Sequence, residues 1–258
     1  MSEPAIAYTQ ETRIAIGRAK PGAASGDCAH VVRRRDDEVL CFLGDVSGHG
    51  PRAAEHARDL EPRVRELAEW MSPGPLLATL NGALEAAWPT DMFVSAVCFA
   101  VDLQTGRAKI ALAGQMPPLV RSRSSTCWLK MNAGAALGAL RNQGYPEREL
   151  VLGVDDLLVA ATDGVTDPLA TEMDVLGFAA MARIVRGASP DPGNICASML
   201  GAAGRSGHAD DATVLAVGPV ISDPRAPKPT GFRARASTRA AQMLRPSTHT
   251  AHRLRCVR

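Results

Sequence analysis

The sequence predicts an α+β layered domain over approximately residues 11–218. Short apolar runs typical of strands recur along this stretch, and two pairs of longer segments with helical spacing are inserted between them. Runs of strands with inserted helix pairs favour helices packed on sheets. After residue 218 the pattern stops, and Pro, Ser, Thr and Arg predict a disordered tail over residues 219–258. Residues 1–10 are interpreted as an N-terminal extension.

Apolar runs predict ten strands. In the clearest, residues 38–44 read Glu-Val-Leu-Cys-Phe-Leu-Gly and end at Asp45, the pattern of a strand buried on both faces. Residues 157–161 form a second buried strand, which ends at Thr162-Asp163-Gly164. Residues 102–107 predict a hairpin turn, with Gly106 at a position that needs a positive φ. The other strands are predicted at 13–17, 31–34, 93–101, 109–112, 119–121, 126–130, 148–152 and 212–217.

Four helices are predicted, in two pairs. Pro51 stands where the first turn of a helix tolerates proline, and apolar residues over 53–70 recur close to helical spacing. Pro62 is expected to kink or split this first helix. The other helices are predicted at 74–88, 174–186 and 193–203.

Length and composition are those of an ordinary folded protein. Of the 258 residues, 46% are hydrophobic and 22% are charged, which excludes a wholly disordered chain and a collagen-like one. No apolar run approaches the roughly 18 residues of a membrane-spanning helix, and no signal peptide is predicted at the N-terminus. Four of the six cysteines lie in apolar runs, where Cys acts as a small hydrophobe, and no disulfide framework is expected at this length. A reducing, cytoplasmic location is therefore expected.

The formal net charge of +2 hides an uneven distribution. Residues 221–258 carry nine basic residues and one acidic residue, whereas residues 1–220 carry twenty basic and twenty-six acidic residues. The basic tail could contact nucleic acid or an anionic membrane. It lacks aromatic residues beyond Phe232 and any amphipathic spacing, so a solvated extension is expected instead. Neither nucleic acid nor a membrane is therefore predicted as a partner.

Four acidic sites share one context, an Asp where an apolar run meets a Gly-rich or polar turn. They contain Asp27, Asp45, Asp163 and the pair Asp210-Asp211. Carboxylates that converge at one end of a sandwich repel each other unless a divalent cation neutralises them. Ligand sets made only of oxygen suit Mg²⁺ or Mn²⁺ better than zinc. Two such ions can hold a hydroxide for in-line attack on phosphorus.

Each acidic site taken alone is also typical of an ordinary turn. An isolated Asp-Gly pair, such as Asp163-Gly164, is most often only a turn. The Gly-rich loop after Asp45 could cradle a phosphate, but it lacks the Lys-Ser/Thr of a P-loop, which argues against nucleotide binding. The ordered set of four sites is therefore the informative feature.

The chain resembles the PPM-type metal-dependent serine/threonine protein phosphatases, in their bacterial SpoIIE-like branch, over roughly residues 22–218. The resemblance rests on five segments in order: GDVSGHG at 44–50, AGQMPP at 113–118, ALG at 136–138, ATDGVTD at 161–167 and DDAT at 210–213. It implies a four-layer α/β/β/α sandwich. It also implies hydrolysis of phosphoserine or phosphothreonine on proteins.

The same resemblance implies a site for two divalent cations, Mn²⁺ or Mg²⁺. Asp45 would bridge the two ions. Asp163 and Asp210 would complete the first site. The backbone carbonyl of Val46 would join the second, on which Asp27 would act through water.

The predicted catalytic residues are Asp45, Asp163 and His49, of which His49 could protonate the leaving seryl oxygen. An alternative role for His49 is a loop histidine bonded to the backbone. Asp211 could replace Asp210 as a ligand. Ser47 is interpreted as a turn residue, because the family mechanism has no covalent intermediate.

The sequence departs from the family pattern at two places. His30 stands where the first motif often has a second Asp, which bears on the outer ligands of the metals. Gln115 and Met116 replace the usual His-Asn of the Ala-Gly-His-Asn-Pro-Pro segment, so substrate positioning is expected to differ. A PPM-fold interaction module without turnover is the alternative to an active phosphatase. By resemblance, the substrate would be a phosphoprotein of a partner-switching pathway, such as a STAS-type anti-sigma-factor antagonist.

Overall fold

The structure, a computed structural model, describes residues 5–9, 13–19, 25–34, 37–174, 176–205 and 211–220. The predicted tail from residue 221 onward lies outside these ranges. The strands are β1 (Ala5–Thr9), β2 (Ile14–Ala19), β3 (Asp27–Arg33), β4 (Glu38–Val46), β5 (Val94–Asp102), β6 (Arg107–Ala113), β7 (Leu119–Arg121), β8 (Thr126–Trp128), β9 (Arg148–Val151), β10 (Leu157–Ala161) and β11 (Ala212–Val217). The helices are α1 (Pro51–Ala68), α2 (Pro73–Ala87), α3 (Asp163–Thr166), α4 (Phe178–Gly187) and α5 (Pro192–Arg205), with a 3₁₀ turn at Asp167–Leu169.

The strands form two antiparallel sheets. The first sheet has the order β1-β2-β11-β10-β7-β8, and the second has the order β3-β4-β5-β6-β9. Residues 5–9 fall in the stretch interpreted as an extension, yet they pair with β2 and form one edge of the first sheet. Sequence patterning missed β1 because its five residues, AIAYT, form a short run without turn residues at both ends.

Three apolar cores separate four layers. The core between the sheets includes Leu43, Phe99, Leu158 and Leu215. A second core joins the second sheet to α1 and α2, and a third joins the first sheet to α4 and α5. The predicted α/β/β/α sandwich is therefore confirmed. Its central strands read as unbroken apolar runs because both of their faces are covered.

Helices α1 and α2 begin at a proline, whereas the helix predicted from residue 174 begins at Phe178. Pro51 is the first residue of α1, and Pro73 is the first residue of α2. Proline is tolerated there because the N–H groups of the first turn have no acceptor within the helix. Pro62 does not split α1, which runs without interruption from Pro51 to Ala68. Within the described ranges, no helix is long and apolar enough to cross a membrane.

Candidate active site

Acidic residues from four separate segments line one cleft at the edge of the sandwich. The cleft has a volume of about 660 Å³, and Asp27, Asp45, Asp163 and Asp211 all contribute to its lining. They come from β3, β4, the start of α3 and the residue before β11, so both sheets supply carboxylates. The structure thus brings together three of the predicted metal-binding side chains. The fourth, Asp210, lies outside the described residues.

Asp27 is the first residue of β3, not part of the preceding turn, and it faces the other sheet. Thr213 Oγ1 donates a hydrogen bond to its Oδ2 at 2.7 Å, and Thr162 Oγ1 donates to the same oxygen at 3.0 Å. The side chain is only 7% exposed. Burial raises the pKa of Asp27 to about 7; the two hydroxyls oppose this shift, and the negative charges of Asp211 and Asp163 add to it.

Asp45 lies directly across from Asp27 in the β3–β4 ladder and from Ser95 in the β4–β5 ladder. It is therefore inside β4, which continues one residue beyond it to Val46. The N–H of Val46 donates to the carbonyl oxygen of Gly26 at 3.2 Å. A Cβ on Gly26 would lie 3.1 Å from the Val46 carbonyl oxygen, so a glycine there keeps this predicted ligand approachable.

Asp163 is the first residue of α3, and only Thr162 separates it from the end of β10. The next residue, Gly164, lies so close to Asp211 that a Cβ would collide with the Asp211 carbonyl oxygen. The carboxylate of Asp211 in turn accepts a hydrogen bond from the N–H of Gly26 at 3.2 Å. The alternative ligand Asp211 is therefore in the cleft.

His49 occupies the exposed loop between β4 and α1 and lines the cleft. Gly48 and Gly50 on either side have φ values of 89° and 78°, which a residue with a Cβ rarely adopts. The sequence Gly-His-Gly thus builds a sharp loop that carries the imidazole to the cleft. Ser47 accepts a hydrogen bond from the N–H of Phe93 on its Oγ at 3.0 Å, which agrees with its interpretation as a turn residue.

The two departures from the family pattern lie in different places. Gln115 is buried at the cleft, where its Oε1 accepts the N–H of Met116 at 3.2 Å and its Nε2 donates to the Ala161 carbonyl at 3.5 Å. His30 instead points from the other face of β3 toward α1. Its ring stacks on Phe42 with centroids 6.4 Å apart, and burial lowers its pKa to about 4. His30 therefore does not line the cleft.

Thr162 and Thr213 were not among the residues predicted for the site. Both are fully buried, and they also bond to each other, because the N–H of Thr213 donates to Thr162 Oγ1 at 3.0 Å. Each stands beside an acidic motif, in Ala-Thr-Asp-Gly and Asp-Asp-Ala-Thr. The signal in the sequence that could have identified them is a polar residue at or beside the end of an apolar strand.

The donor set of the cleft fits a hard divalent cation. Its acidic side chains present carboxylate oxygens, the donors that such ions prefer. Asp27 is buried near Asp211 and Asp163, whose negative charges raise its pKa. Within the described ranges, no three side chains of His, Cys, Asp or Glu are grouped closely enough to hold an ion as they stand. The missing member of the predicted set, Asp210, is outside those ranges.

Residues 35–219 match the family described as Stage II sporulation protein E (SpoIIE). The chain is similar to the phosphoserine phosphatases RsbP and RsbU of Bacillus subtilis, with 26% identity over 152 and 162 residues. These matches cover 57% and 61% of this chain but only 38% and 48% of RsbP and RsbU. The chain thus spans less than half the length of these curated relatives.

Two solved structures share the fold. The RsbU and RsbW domains of Rv1364c from Mycobacterium tuberculosis superpose with a TM-score of 0.70 at 23% identity, covering 86% of this chain and 65% of that one. A chain with the PP2C phosphatase domain and a fragment of the regulatory domain of SpoIIE from Bacillus subtilis gives a TM-score of 0.68 at 19% identity. The match covers 79% of this chain and 62% of that one. At these identities the likeness shows the sandwich fold.

Proposed function

The chain belongs to the SpoIIE family of PPM-type phosphatases, and on that premise we propose that it is a metal-dependent phosphoserine/phosphothreonine protein phosphatase. One observation carries the proposal. Carboxylates from four separate segments line a single cleft, and each lies at the end of a strand or beside one. A domain would not assemble so much negative charge at one place without a cation to bind there.

Asp45, Asp163 and the Val46 carbonyl would hold two Mn²⁺ or Mg²⁺ ions, together with Asp210 or Asp211. Asp27 would act through water, since its Oδ2 already accepts two threonine hydroxyls. When bound, the ions supply neutralisation of the phosphoryl charge and an activated water for attack on phosphorus. The two threonine hydroxyls fix the orientation of the Asp27 carboxylate.

His49 would donate a proton to the leaving oxygen of the substrate. His49 is exposed and lines the cleft. This position suits a group that contacts the leaving oxygen of the substrate serine or threonine, while the phosphoryl group lies deeper among the carboxylates. The substrate would be a phosphoprotein of a partner-switching pathway, such as a STAS-type anti-sigma-factor antagonist. The similarity to the phosphoserine phosphatases RsbP and RsbU supports a phosphoserine substrate.

The test is hydrolysis of p-nitrophenyl phosphate and of a phosphoserine peptide in the presence of Mn²⁺. Asp45→Ala and Asp163→Ala should each lower kcat/KM at least a thousandfold, roughly the size of effect expected when a ligand for the reacting water is lost. The matched control is Asp59→Ala, which removes an exposed carboxylate of α1 outside the cleft. EDTA should abolish the activity and added Mn²⁺ should restore it. Activity that survives both cleft substitutions would refute the proposal.

A further inference from the structure

Two large apolar side chains stay exposed where they line the cleft. Phe93 is 42% exposed and Leu176 is 58% exposed, and both contribute to the same cleft as Asp45 and Asp163. They come from opposite halves of the sandwich, since Phe93 precedes β5 and Leu176 precedes α4. Exposed apolar groups beside a polar site often mark contact with a partner. We call Phe93 and Leu176 the apolar rim.

Phe93 is held rigidly by its backbone. Ser47 and Phe93 exchange two hydrogen bonds, Ser47 N–H to the Phe93 carbonyl at 2.9 Å and Phe93 N–H to Ser47 Oγ at 3.0 Å. The next residue, Val94, exchanges two more with Leu137. The exposed ring therefore sits on a fixed support, and binding against it costs little ordering entropy.

Leu176 is fixed by a tight turn before α4. Gly177 has a φ of 63°, and a Cβ on it would collide with the carbonyl oxygen of Thr166. Just upstream, the carboxylate of Asp174 accepts the N–H groups of Ala179 and Ala180 at 2.9 and 3.0 Å, which caps the helix. Leu176 therefore stands in the turn that leads into α4, at the cleft.

The charged residues of the cleft indicate how a residue next to the phosphorylated one is recognised. Its described lining contains five carboxylates and neither Lys nor Arg: Asp27, Asp45, Asp163, Asp167 and Asp211. A cation-bound phosphoryl group suits these carboxylates, but the described lining has no Lys or Arg to pair with an acidic peptide. Phe93 and Leu176 line the same cleft as these carboxylates.

We infer, on the basis of the phosphatase function proposed above, that the apolar rim binds an apolar side chain next to the phosphorylated residue of a protein substrate. The occupant is an extended phosphoprotein segment, with its phosphoryl group over the carboxylates and a leucine-like neighbour between Phe93 and Leu176. The rim residues determine specificity and take no part in the chemistry.

The test uses two phosphoserine peptides that differ only in the residues flanking phosphoserine, Leu in one and Asn in the other. The wild-type chain with Mn²⁺ should prefer the Leu peptide about tenfold in kcat/KM, mainly through KM, because a partly buried leucine is stabilised by roughly that factor. The double variant Phe93→Ala, Leu176→Ala should reduce this preference below threefold, whereas Phe93→Leu should keep most of it. Trp70→Ala removes an aromatic residue that is 67% exposed outside the cleft, and it should retain the full preference.

Binding is measured separately by fluorescence anisotropy, with labelled versions of both peptides that carry a non-hydrolysable phosphonate in place of the phosphate. A Leu preference in binding without any turnover of the phosphopeptides would support the apolar rim and refute the phosphatase. Turnover of both peptides at equal kcat/KM would refute the apolar rim and leave the phosphatase standing. A preference for the Leu peptide that persists in the double variant would also refute the role of the apolar rim.

Discussion

The hydroxyl of Thr213 donates a hydrogen bond of 2.7 Å to the carboxylate of Asp27, which ties an edge strand of one sheet to a central strand of the other. Thr162 donates to the same carboxylate oxygen at 3.0 Å. A buried carboxylate needs such partners. Thr162 lies between β10 and Asp163, and Thr213 lies in β11, two residues after Asp211. These two hydrogen bonds therefore belong both to the acidic cleft and to the contact between the two sheets.

Thr213→Val should lower the free energy of unfolding by about 1–3 kcal/mol, because the isosteric methyl leaves Asp27 short of a hydrogen bond in a buried place. It should also weaken the binding of Mn²⁺, since the orientation of Asp27 is loosened. Urea unfolding and a Mn²⁺ titration measure the two effects. Thr213→Ser keeps the hydroxyl and should stay close to the wild type in both. Equal stability of the Val and Ser variants would contradict the prediction.

Gly164→Ala should destabilise the protein by about 1–3 kcal/mol and abolish most of the activity. The added Cβ collides with the carbonyl oxygen of Asp211, so α3 and the start of β11 must move apart. This separates Asp163 from Asp211. Gly204→Ala is the control: it lies in α5 with open space around the added Cβ, and it should be neutral or slightly stabilising. Thermal unfolding and p-nitrophenyl phosphate turnover report the outcome.

His30 should make the protein less stable in mild acid. Burial lowers its pKa to about 4; Arg65 and Arg18 also lower it, and Glu61 opposes them. Between this value and the ordinary histidine value of about 6.5, the unfolded chain binds a proton that the folded chain does not. This effect should cost about 2 kcal/mol of stability as the pH falls from 7.5 to 5.

The measurement is urea unfolding of the wild type and of His30→Leu at both pH values. The variant should lose about 2 kcal/mol less than the wild type over this range, because leucine has no proton to bind. The same acid-dependent loss in both proteins would show that other groups cause it.

Ser47→Ala should lower kcat on p-nitrophenyl phosphate by less than about tenfold. The loss comes from the Phe93 N–H, which no longer has the Ser47 hydroxyl as its acceptor. If Ser47 were a nucleophile, its removal would cost several orders of magnitude, and the wild type would form a phosphoseryl intermediate. Mass spectrometry of the acid-quenched wild type during turnover should detect no such adduct.

Local patterns predicted the elements that position the cleft, including both ends of β10, but not the end of β4. The runs at 38–44 and 157–161 were predicted as buried strands and are observed as Glu38–Val46 and Leu157–Ala161. Asp45 was expected to follow its strand, yet the ladder with β5 continues through Val46. Hydrogen bonding to the neighbouring strand decides where a strand ends, and a single chain segment carries little trace of its neighbour.

The sequence by itself determined which carboxylates the protein can gather and that each stands at or beside the end of an apolar strand. Only the tertiary structure decided what surrounds them. The hydroxyl partners of Asp27 are 135 and 186 residues away along the chain, and His30 faces a helix although it is three residues from Asp27. In a two-sheet sandwich, the contacts of a side chain depend on which strand of the opposite sheet passes over it. Apolar periodicity within one strand records only which face is buried, so the threonine partners and the apolar rim emerge only when the sheets are packed together.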